Sequence, residues 1–294
     1  MNIDFLQTNV DITNLSNFRT LAYTRYYFEI HNRQDIDKIE EIIKFARNNN
    51  LKILFIWWWT NLLFAFDTYE WIIIKNCLEW RSYDKDTKIL EVFSWEKIWE
   101  LAKNLETQYW QDLWHRFIWL PWTVWWAVFG NAWCFWLEIE SNFVETEVLD
   151  LESWIIETLN KEQVSFSYRS SIFKETKKYF IIQTKFDLNE KIEKYSSDVD
   201  NIDFRENKQP KWNSWWSFFK NPSTELSAWS AIEAVWLKWY HYNRVFFSDK
   251  HANFLINDKE WWSWQDLLFL IDLAKTKVKA KFKVELEPEV RIIR

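Results

Sequence analysis

The sequence predicts an α+β protein with two lobes, and three observations carry that prediction. The 294 residues are 48% hydrophobic and 27% charged, a composition that can bury a sizeable core and differs from that of disordered chains. Apolar runs typical of strands alternate with segments of helical periodicity along most of the chain. Residues 189–209 are charged and poor in apolar side chains, and Pro210 follows them, so they are the best candidate for a linker.

The individual elements follow from the spacing of apolar residues. The first helix is predicted at residues 35–50, where Ile36, Ile39, Ile43 and Ala46 share one face and three asparagines end the helix. Strands are predicted in the continuous or alternating apolar runs 51–56, 72–75, 87–93, 143–150, 155–159, 178–186 and 252–257. Further helices are predicted at 96–106, 224–237 and 263–275.

Two residue counts are abnormal: the chain has 1 glycine and 25 tryptophans. At the usual frequency of about 7%, a chain of this length would have roughly 20 glycines. Folded proteins need residues with positive φ at turns and helix ends, and glycine supplies most of them. The tryptophans and the single glycine together approach an ordinary glycine count, which indicates that many tryptophans stand where glycines belong.

The local contexts support this interpretation. The triplet Trp57-Trp58-Trp59 follows an apolar run, where a glycine-rich loop would follow a strand. Residues 119–127 have the rhythm of a Gly-x-Pro-Gly loop, and Trp154 stands after Ser153 between two alternating runs, where a hairpin favours Ser-Gly. The other interpretation is a truly tryptophan-rich carbohydrate or peptide binder. It is disfavoured because tryptophan is large and favours strands, whereas here it occupies turn positions and adjacent pairs.

We therefore hypothesise that the gene comes from a lineage that reads UGA as glycine and was translated with UGA as tryptophan. The nucleotide sequence tests this directly. In-frame UGA codons at Trp57, Trp58, Trp122 and Trp125 would support the hypothesis, and UGG codons at these positions would refute it.

Charge and composition exclude several classes of partner. The net charge is −6 and no block of Lys or Arg stands out, so nucleic acid and anionic membranes are poor candidates. Residues 117–137 carry no charge and superficially meet the length criterion for a membrane span of about 20 residues. Reading their tryptophans as glycine leaves a loop of small residues, so no transmembrane segment is predicted. Cys77 and Cys134 form no metal-like motif, and with no signal peptide we expect a cytoplasmic protein.

Six segments, read with glycine in place of tryptophan where the pattern asks for it, resemble the UDP-N-acetylenolpyruvoylglucosamine reductase (MurB) family. They occur in family order at residues 53–63, 119–136, 168–173, 217–222, 251–257 and 286–291. The first resembles the family's I-x-G-G-G-[ST]-N-L-L loop, and the second its G-[IL]-P-G-T-V-G-G-A flavin segment. The resemblance covers nearly the whole chain, and the short length matches the compact subtype of the family.

The two glycine-like loops suit a flavin dinucleotide, because a pyrophosphate is bound by backbone N–H groups that side chains would block. The resemblance implies FAD, with family glycines or polar contacts at Trp57, Trp58, Trp59, Thr60, Asn61, Trp122, Thr123, Trp125, Trp126 and Asn131. Indoles would fill the space that the pyrophosphate needs. We therefore expect the chain as written not to hold FAD, and its glycine form to hold it.

Three residues are predicted to be catalytic. Arg169 can pair with a substrate carboxylate; alone it would be taken as a surface arginine, and the family motif assigns it to the active site. The family places its general acid at Ser217 and its catalytic carboxylate at the Glu of Glu-Val-Arg, which is Glu289. Nothing intrinsic distinguishes Glu289 from Glu285 or Glu287, which would share its face in an extended strand.

The substrate-binding residues implied by the resemblance are Tyr168, Lys208, Asn221 and His251. The match at Lys208 is weaker than the others. A lone histidine is more often structural than functional, and His251 is included because its segment resembles the family. The remaining histidines show no constellation, so no metal site is predicted.

The resemblance implies a fold like the FAD-binding domain of the vanillyl-alcohol-oxidase type, with a smaller α+β substrate lobe. We expect the FAD-binding region at 1–190, the substrate lobe at 200–285, and a last strand at 286–294 that returns to the first lobe. The implied reaction is the NADPH-dependent, FAD-mediated reduction of UDP-N-acetylglucosamine enolpyruvate to UDP-N-acetylmuramate in peptidoglycan synthesis, by a monomer whose partner is this UDP-sugar. The alternatives are another FAD-dependent sugar or alcohol oxidoreductase of the same fold, and a non-enzymatic tryptophan-rich binding module.

Overall fold

The computed structural model describes residues 3–56, 62–118, 120, 122–134, 137–189, 218–257 and 263–294. The strands in these ranges are β1 (Gln7–Asp11), β2 (Tyr23–Ile30), β3 (Ile53–Ile56), β4 (Leu62–Phe64), β5 (Thr68–Asn76), β6 (Arg81–Tyr83), β7 (Ile89–Phe93), β8 (Trp133–Cys134), β9 (Leu137–Glu138), β10 (Phe143–Asp150), β11 (Ile156–Asn160), β12 (Tyr179–Asp187), β13 (His241–Tyr242), β14 (Val245–Phe247), β15 (Leu255–Asn257) and β16 (Arg291–Ile293). The α-helices are α1 (Arg33–Asn48), α2 (Ile98–Tyr109), α3 (Val124–Phe129), α4 (Lys161–Val164), α5 (Ile172–Thr176), α6 (Ala228–Ala234) and α7 (Trp264–Phe282). The mixture of helices and sheets confirms the α+β class predicted from the sequence.

The first sheet has the strand order β1-β2-β5-β3. Strands β2 and β3 both run parallel to β5, and α1 makes the crossover between them. The helix begins at Asn32, whose side chain accepts the N–H of Asp35 at 3.1 Å. Its apolar face buries Ile36 and Ile39 against strand residues such as Ile72, as the spacing predicted.

The second sheet is antiparallel, with the order β11-β10-β12-β7-β6. Its two strands β10 and β11 form the predicted hairpin, with Leu149 opposite Ile156. Helix α2 packs Leu101 and Leu105 into the same core as Trp114, which is fully buried. The core of this sheet therefore reaches the segment that leads into α3.

The third sheet, β13-β14-β15, packs against α6 and α7. Phe18 and Leu63, from the first part of the chain, belong to the same core cluster as these helices. The last strand, β16, pairs in parallel with β4, with Ile293 opposite Phe64. These contacts bring the end of the chain beside the residues that follow the first predicted glycine loop.

Some boundaries differ from the prediction. The loop predicted across residues 117–137 contains a helix, α3, so the prediction was wrong there. The helix forms because the Thr123 hydroxyl oxygen accepts the N–H of Trp126 at 3.3 Å and because Val124 and Val128 are buried. The helix predicted at 224–237 is the shorter α6. The predicted linker lies almost entirely outside the described residues.

Among the residues that the structure describes, four tryptophans have a positive φ, the left-handed backbone region that favours glycine. They are Trp110 (55°), Trp154 (65°), Trp236 (62°) and Trp239 (61°). Trp110 follows α2 in the left-handed position that glycine usually fills at a helix end, and Trp154 lies in the β10–β11 turn. Independently of composition, the backbone thus shows positions that suit glycine and carry tryptophan.

Across the part of the chain that the structure describes, no helix combines the length and the apolar character needed to cross a bilayer.

Candidate active site

A cavity of about 420 Å³ lies along β3. Its lining includes Ile56, Trp125, Trp126, Lys174 and Glu289. The cavity therefore contains the predicted catalytic carboxylate, Glu289.

Arg169 pairs with Glu289 of the cavity lining, with 3.7 Å between Nη2 of the arginine and Oε1 of the glutamate. Arg169 lies in a tight turn closed by two backbone hydrogen bonds between Ser167 and Ser170, each 3.1 Å long. Its guanidinium carbon is 5.9 Å from the centre of the Trp122 ring. The structure thus brings together two residues that the sequence singled out in widely separated motifs.

The environment of Glu289 favours a proton on its carboxyl group. Burial raises the pKa above its ordinary value of 4.5, although the positive charges of Arg169, Lys220 and Lys174 act in the opposite direction. The side chain keeps 39% of its surface accessible, so the carboxyl group can still be reached from the cavity. A carboxyl group with a raised pKa beside an arginine suits the handling of a proton or of developing negative charge.

A network of backbone hydrogen bonds positions Glu289. Its N–H donates to the carbonyl of Phe218 at 2.8 Å, and the N–H of Lys220 donates to the carbonyl of Glu287 at 2.9 Å. The buried Asn253 side chain holds the same segment from the other side. Its Oδ1 accepts the N–H of Phe219 at 2.9 Å, and its Nδ2 donates to the carbonyl of Phe219 at 2.8 Å.

Asn253 and Lys174 are thus site residues that the sequence reasoning missed. Asn253 lies inside the family-like segment 251–257, and Lys174 directly follows the segment 168–173. No local pattern marks them, because their roles depend on backbone groups contributed by other parts of the fold.

The second predicted flavin segment does not fit FAD in the chain as written. The N–H of Trp125 donates to the carbonyl of Ser94 at 2.8 Å, and that of Trp126 donates to Thr123. The ring centres of Trp125 and Phe129 are stacked 4.4 Å apart at the cavity wall. Backbone donors that a pyrophosphate would use are engaged, and indoles line the space it would enter, as the sequence led us to expect. Trp57, Trp58, Trp59, Thr60 and Asn61 lie outside the described residues.

Asn131, predicted to contact the cofactor, is buried and bonded within the protein. Its Nδ2 donates to the carbonyl of Ser167 at 3.2 Å and to the carboxylate of Glu138 at 3.2 Å, and its Oδ1 accepts the N–H of Glu140. Asn131 therefore supports the turn that carries Arg169.

The predicted substrate-binding residues have different surroundings. Tyr168 is exposed beside Arg169. Asn221 Oδ1 accepts the N–H of Ala228 at 3.0 Å, at the start of α6. His251 is half-buried against Phe254, and burial lowers the pKa of its imidazole. Ser217 and Lys208 lie outside the described residues, and Ser217 directly precedes Phe218.

A group of possible metal ligands, not visible from sequence spacing, lies on the first sheet. One ligand atom each from Glu29, His31 and Cys77 lie within 4.8 Å of one another. The Lys75 ammonium, however, lies 2.9 Å from Oε1 of Glu29, and its positive charge opposes a bound cation. We therefore describe the group as a hydrogen-bonded cluster.

Comparisons with known proteins agree on one family. A sequence profile described as UDP-N-acetylenolpyruvoylglucosamine reductase, C-terminal domain, matches residues 209–293. The UDP-N-acetylenolpyruvoylglucosamine reductase of Chlamydia trachomatis is 29% identical over 289 residues, covering 98% of this chain and 96% of that protein. The Fervidobacterium nodosum protein of the same name is 38% identical over 176 residues, which span 59% of this chain and 56% of the relative.

The fold agrees with these sequence relatives. The crystal structure of UDP-N-acetylenolpyruvylglucosamine reductase (MurB) from Thermus caldophilus aligns with a TM-score of 0.67 at 18% identity. The alignment covers 99% of this chain and 100% of that one. The overall architecture is therefore shared from end to end.

Proposed function

Because the chain belongs to the UDP-N-acetylenolpyruvoylglucosamine reductase family, we propose that its glycine form reduces UDP-N-acetylglucosamine enolpyruvate to UDP-N-acetylmuramate for peptidoglycan synthesis. The family implies FAD as the bound cofactor and NADPH as the co-substrate. We assign the reaction to the glycine form because the chain as written presents indoles where the cofactor loop requires backbone. We further propose that the protein acts as a cytoplasmic monomer.

The observation that carries this proposal is the approach of Arg169 to Glu289 at the cavity. An arginine can pair with the carboxylate of the enolpyruvyl group and stabilise negative charge that moves into it during reduction. Glu289, with its raised pKa, supplies a carboxyl group that can hold a proton beside this developing charge.

The overall reaction adds one hydride and one proton across the enolpyruvyl double bond. NADPH balances the hydride, and we assign delivery of the proton to the α-carbon to Ser217, the family's general acid. Ser217 directly precedes Phe218 in the sequence, and the Phe218 carbonyl accepts the N–H of Glu289. Tyr168, Lys208, Asn221 and His251 are proposed to bind the UDP-sugar.

The test compares the chain as written with a form that has glycine at the six tryptophans assigned to the two loops: Trp57, Trp58, Trp59, Trp122, Trp125 and Trp126. We expect NADPH oxidation that depends on UDP-N-acetylglucosamine enolpyruvate in the glycine form, and none in the chain as written. Absence of this activity from a folded, flavin-containing glycine form would refute the proposed function.

Two variants of the glycine form test the assigned roles. Ser217→Ala should slow turnover by about 10²–10⁴-fold, because the intermediate loses its proton donor. NADPH oxidation measured without the sugar substrate should stay near the parent rate. Arg169→Met should lower kcat/KM for the sugar substrate. As the matched control, Arg33→Met removes an arginine paired with Glu147 on the sheet surface and should leave kcat/KM unchanged.

A further inference from the structure

Arg169 adopts a backbone conformation that a non-glycine residue rarely takes. Its φ is 57°, in the left-handed region, where the Cβ atom crowds the following carbonyl. Such a conformation persists when the surrounding structure fixes it, and it often occurs at functional sites. The groups that fix the backbone of Arg169 therefore also determine where its guanidinium lies.

Lys174 is one of these groups. It lies in α5, and its Nζ donates to the backbone carbonyl of Arg169 at 2.7 Å. Hydrogen bonds from a charged donor are shorter and stronger than those between neutral groups. On the other side of the turn, Asn131 donates to the carbonyl of Ser167 at 3.2 Å. The turn that carries Arg169 is thus held by side chains on both flanks.

Lys174 also lines the same cavity as Glu289. Burial lowers the pKa of Lys174, and the positive charges of Arg169 and Lys220 act in the same direction. Lys220 is paired with Glu287 at 2.6 Å, away from the cavity lining. Lys174, Lys177 and Arg291 line the cavity, and Arg169 pairs with its Glu289, so positive charge surrounds the place where an anionic group would enter, in a chain whose net charge is −6.

We propose that Lys174 is a positioning residue for Arg169: its ammonium group holds the Arg169 carbonyl and so keeps the guanidinium beside Glu289 of the cavity lining. The expected loss of activity in a Lys174 variant rests on the proposed function. The expected movement of Arg169 rests on the geometry of the turn alone. Loss of the ammonium group would free the turn, and the guanidinium would no longer be fixed beside the substrate carboxylate.

The kinetic test uses Lys174→Met, Lys174→Arg and Lys177→Met in the glycine form. Lys177 is the matched control, because it lines the same cavity but makes no hydrogen bond to Arg169 in the described structure. We expect Lys174→Met to lower kcat/KM for the enolpyruvyl substrate by about 10–100-fold, the usual worth of a hydrogen bond from a charged group. Lys174→Arg should recover most of the loss, and Lys177→Met should change kcat/KM by less than about threefold.

A double-mutant cycle separates positioning from a general structural role. If Lys174 acts through Arg169, Lys174→Met should have little further effect when Arg169 is already methionine. Additive losses, or equal losses in the Lys174 and Lys177 variants, would overturn the proposal. Denaturation midpoints of all variants should stay close to that of the parent.

A second readout does not depend on activity. A crystal structure of the Lys174→Met chain should show Arg169 with a negative φ, or its guanidinium moved away from Glu289. An unchanged Arg169 would overturn the inference whether or not the glycine form reduces the enolpyruvyl sugar. Conversely, a moved Arg169 in the Lys174→Met structure, together with a folded, flavin-containing parent glycine form that lacks the activity, would refute the proposed function and leave the role of Lys174 supported.

Discussion

Trp110 and Trp236 offer the most direct test of the idea that tryptophan stands in positions suited to glycine. Both have a positive φ, and their side chains are 91% and 87% exposed. Replacing either by glycine therefore removes backbone strain while giving up almost no buried surface. The expected effect on the free energy of unfolding depends on two opposing contributions.

The first contribution is the strain itself, which for an L-residue in the left-handed region is about 1–2 kcal/mol. The second is the greater freedom of glycine in the unfolded chain, which costs about 0.4–1 kcal/mol. The net gain should be about 0.5–1 kcal/mol for each site, because the strain is the larger of the two. The two residues follow α2 and α6, in different core clusters, so the gains should add.

Chemical denaturation of Trp110→Gly, Trp236→Gly and the double variant would measure these gains. Trp110→Ala controls for removal of the exposed indole, and should change stability little because alanine keeps the strain. Trp229→Gly is the matched control at a helical position in α6, and should lower stability by about 0.5–1 kcal/mol. Equal gains for glycine and alanine at residue 110, or losses with glycine at both sites, would refute the reasoning.

Three further predictions concern titration and burial. Glu289→Gln should be more stable than the parent at neutral pH, because the raised pKa means that folding disfavours the charged carboxylate. In denaturation experiments at a series of pH values, this difference in the free energy of unfolding should vanish as the pH falls below 4.5. A difference that stays constant with pH would contradict the prediction. At Glu29, burial acts to raise the pKa, but hydrogen bonds from Tyr27, Lys75 and His31 outweigh it and hold the value at about 2. Glu29→Gln should therefore destabilise the protein at neutral pH by up to about 3 kcal/mol, with the difference lost as the pH falls from 4.5 to about 2. Asn253→Ala should lower the free energy of unfolding by about 2–4 kcal/mol, because the N–H and C=O of Phe219 lose their hydrogen bonds to the side-chain amide. A decrease below about 0.5 kcal/mol in equilibrium denaturation would contradict the role of Asn253.

Elements with a strong local pattern could be predicted from the sequence. Helix α1 and the β10–β11 hairpin occur within a few residues of their predicted bounds, because apolar spacing and polar ends specify them locally. Helix α3 was missed because its residues were interpreted as glycine positions. Its Thr123 cap and the burial of Val124 and Val128 decide its conformation.

The candidate site was predictable only in part. Arg169 and Glu289 were identified from family motifs, and no spacing rule could bring them together, since the fold alone sets their separation. Lys174 and Asn253 act on backbone carbonyl and N–H groups of other residues. A sequence carries no signal for such contacts, because any lysine or asparagine could make them.

The parallel pairing of β16 with β4 has a consequence for the order in which the protein is made. Strand β4 leaves the ribosome early, but its partner is synthesised only after the sheet β13-β14-β15 and helix α7. Until then the β4 side that pairs with β16 has free backbone N–H and C=O groups, which are a template for association with other chains. Glu289 lies just before β16, so a nascent chain cannot present its proposed catalytic carboxylate before this late strand is added. Slow or interrupted synthesis near the end of the chain should therefore yield aggregation-prone, inactive protein rather than a weakly active enzyme.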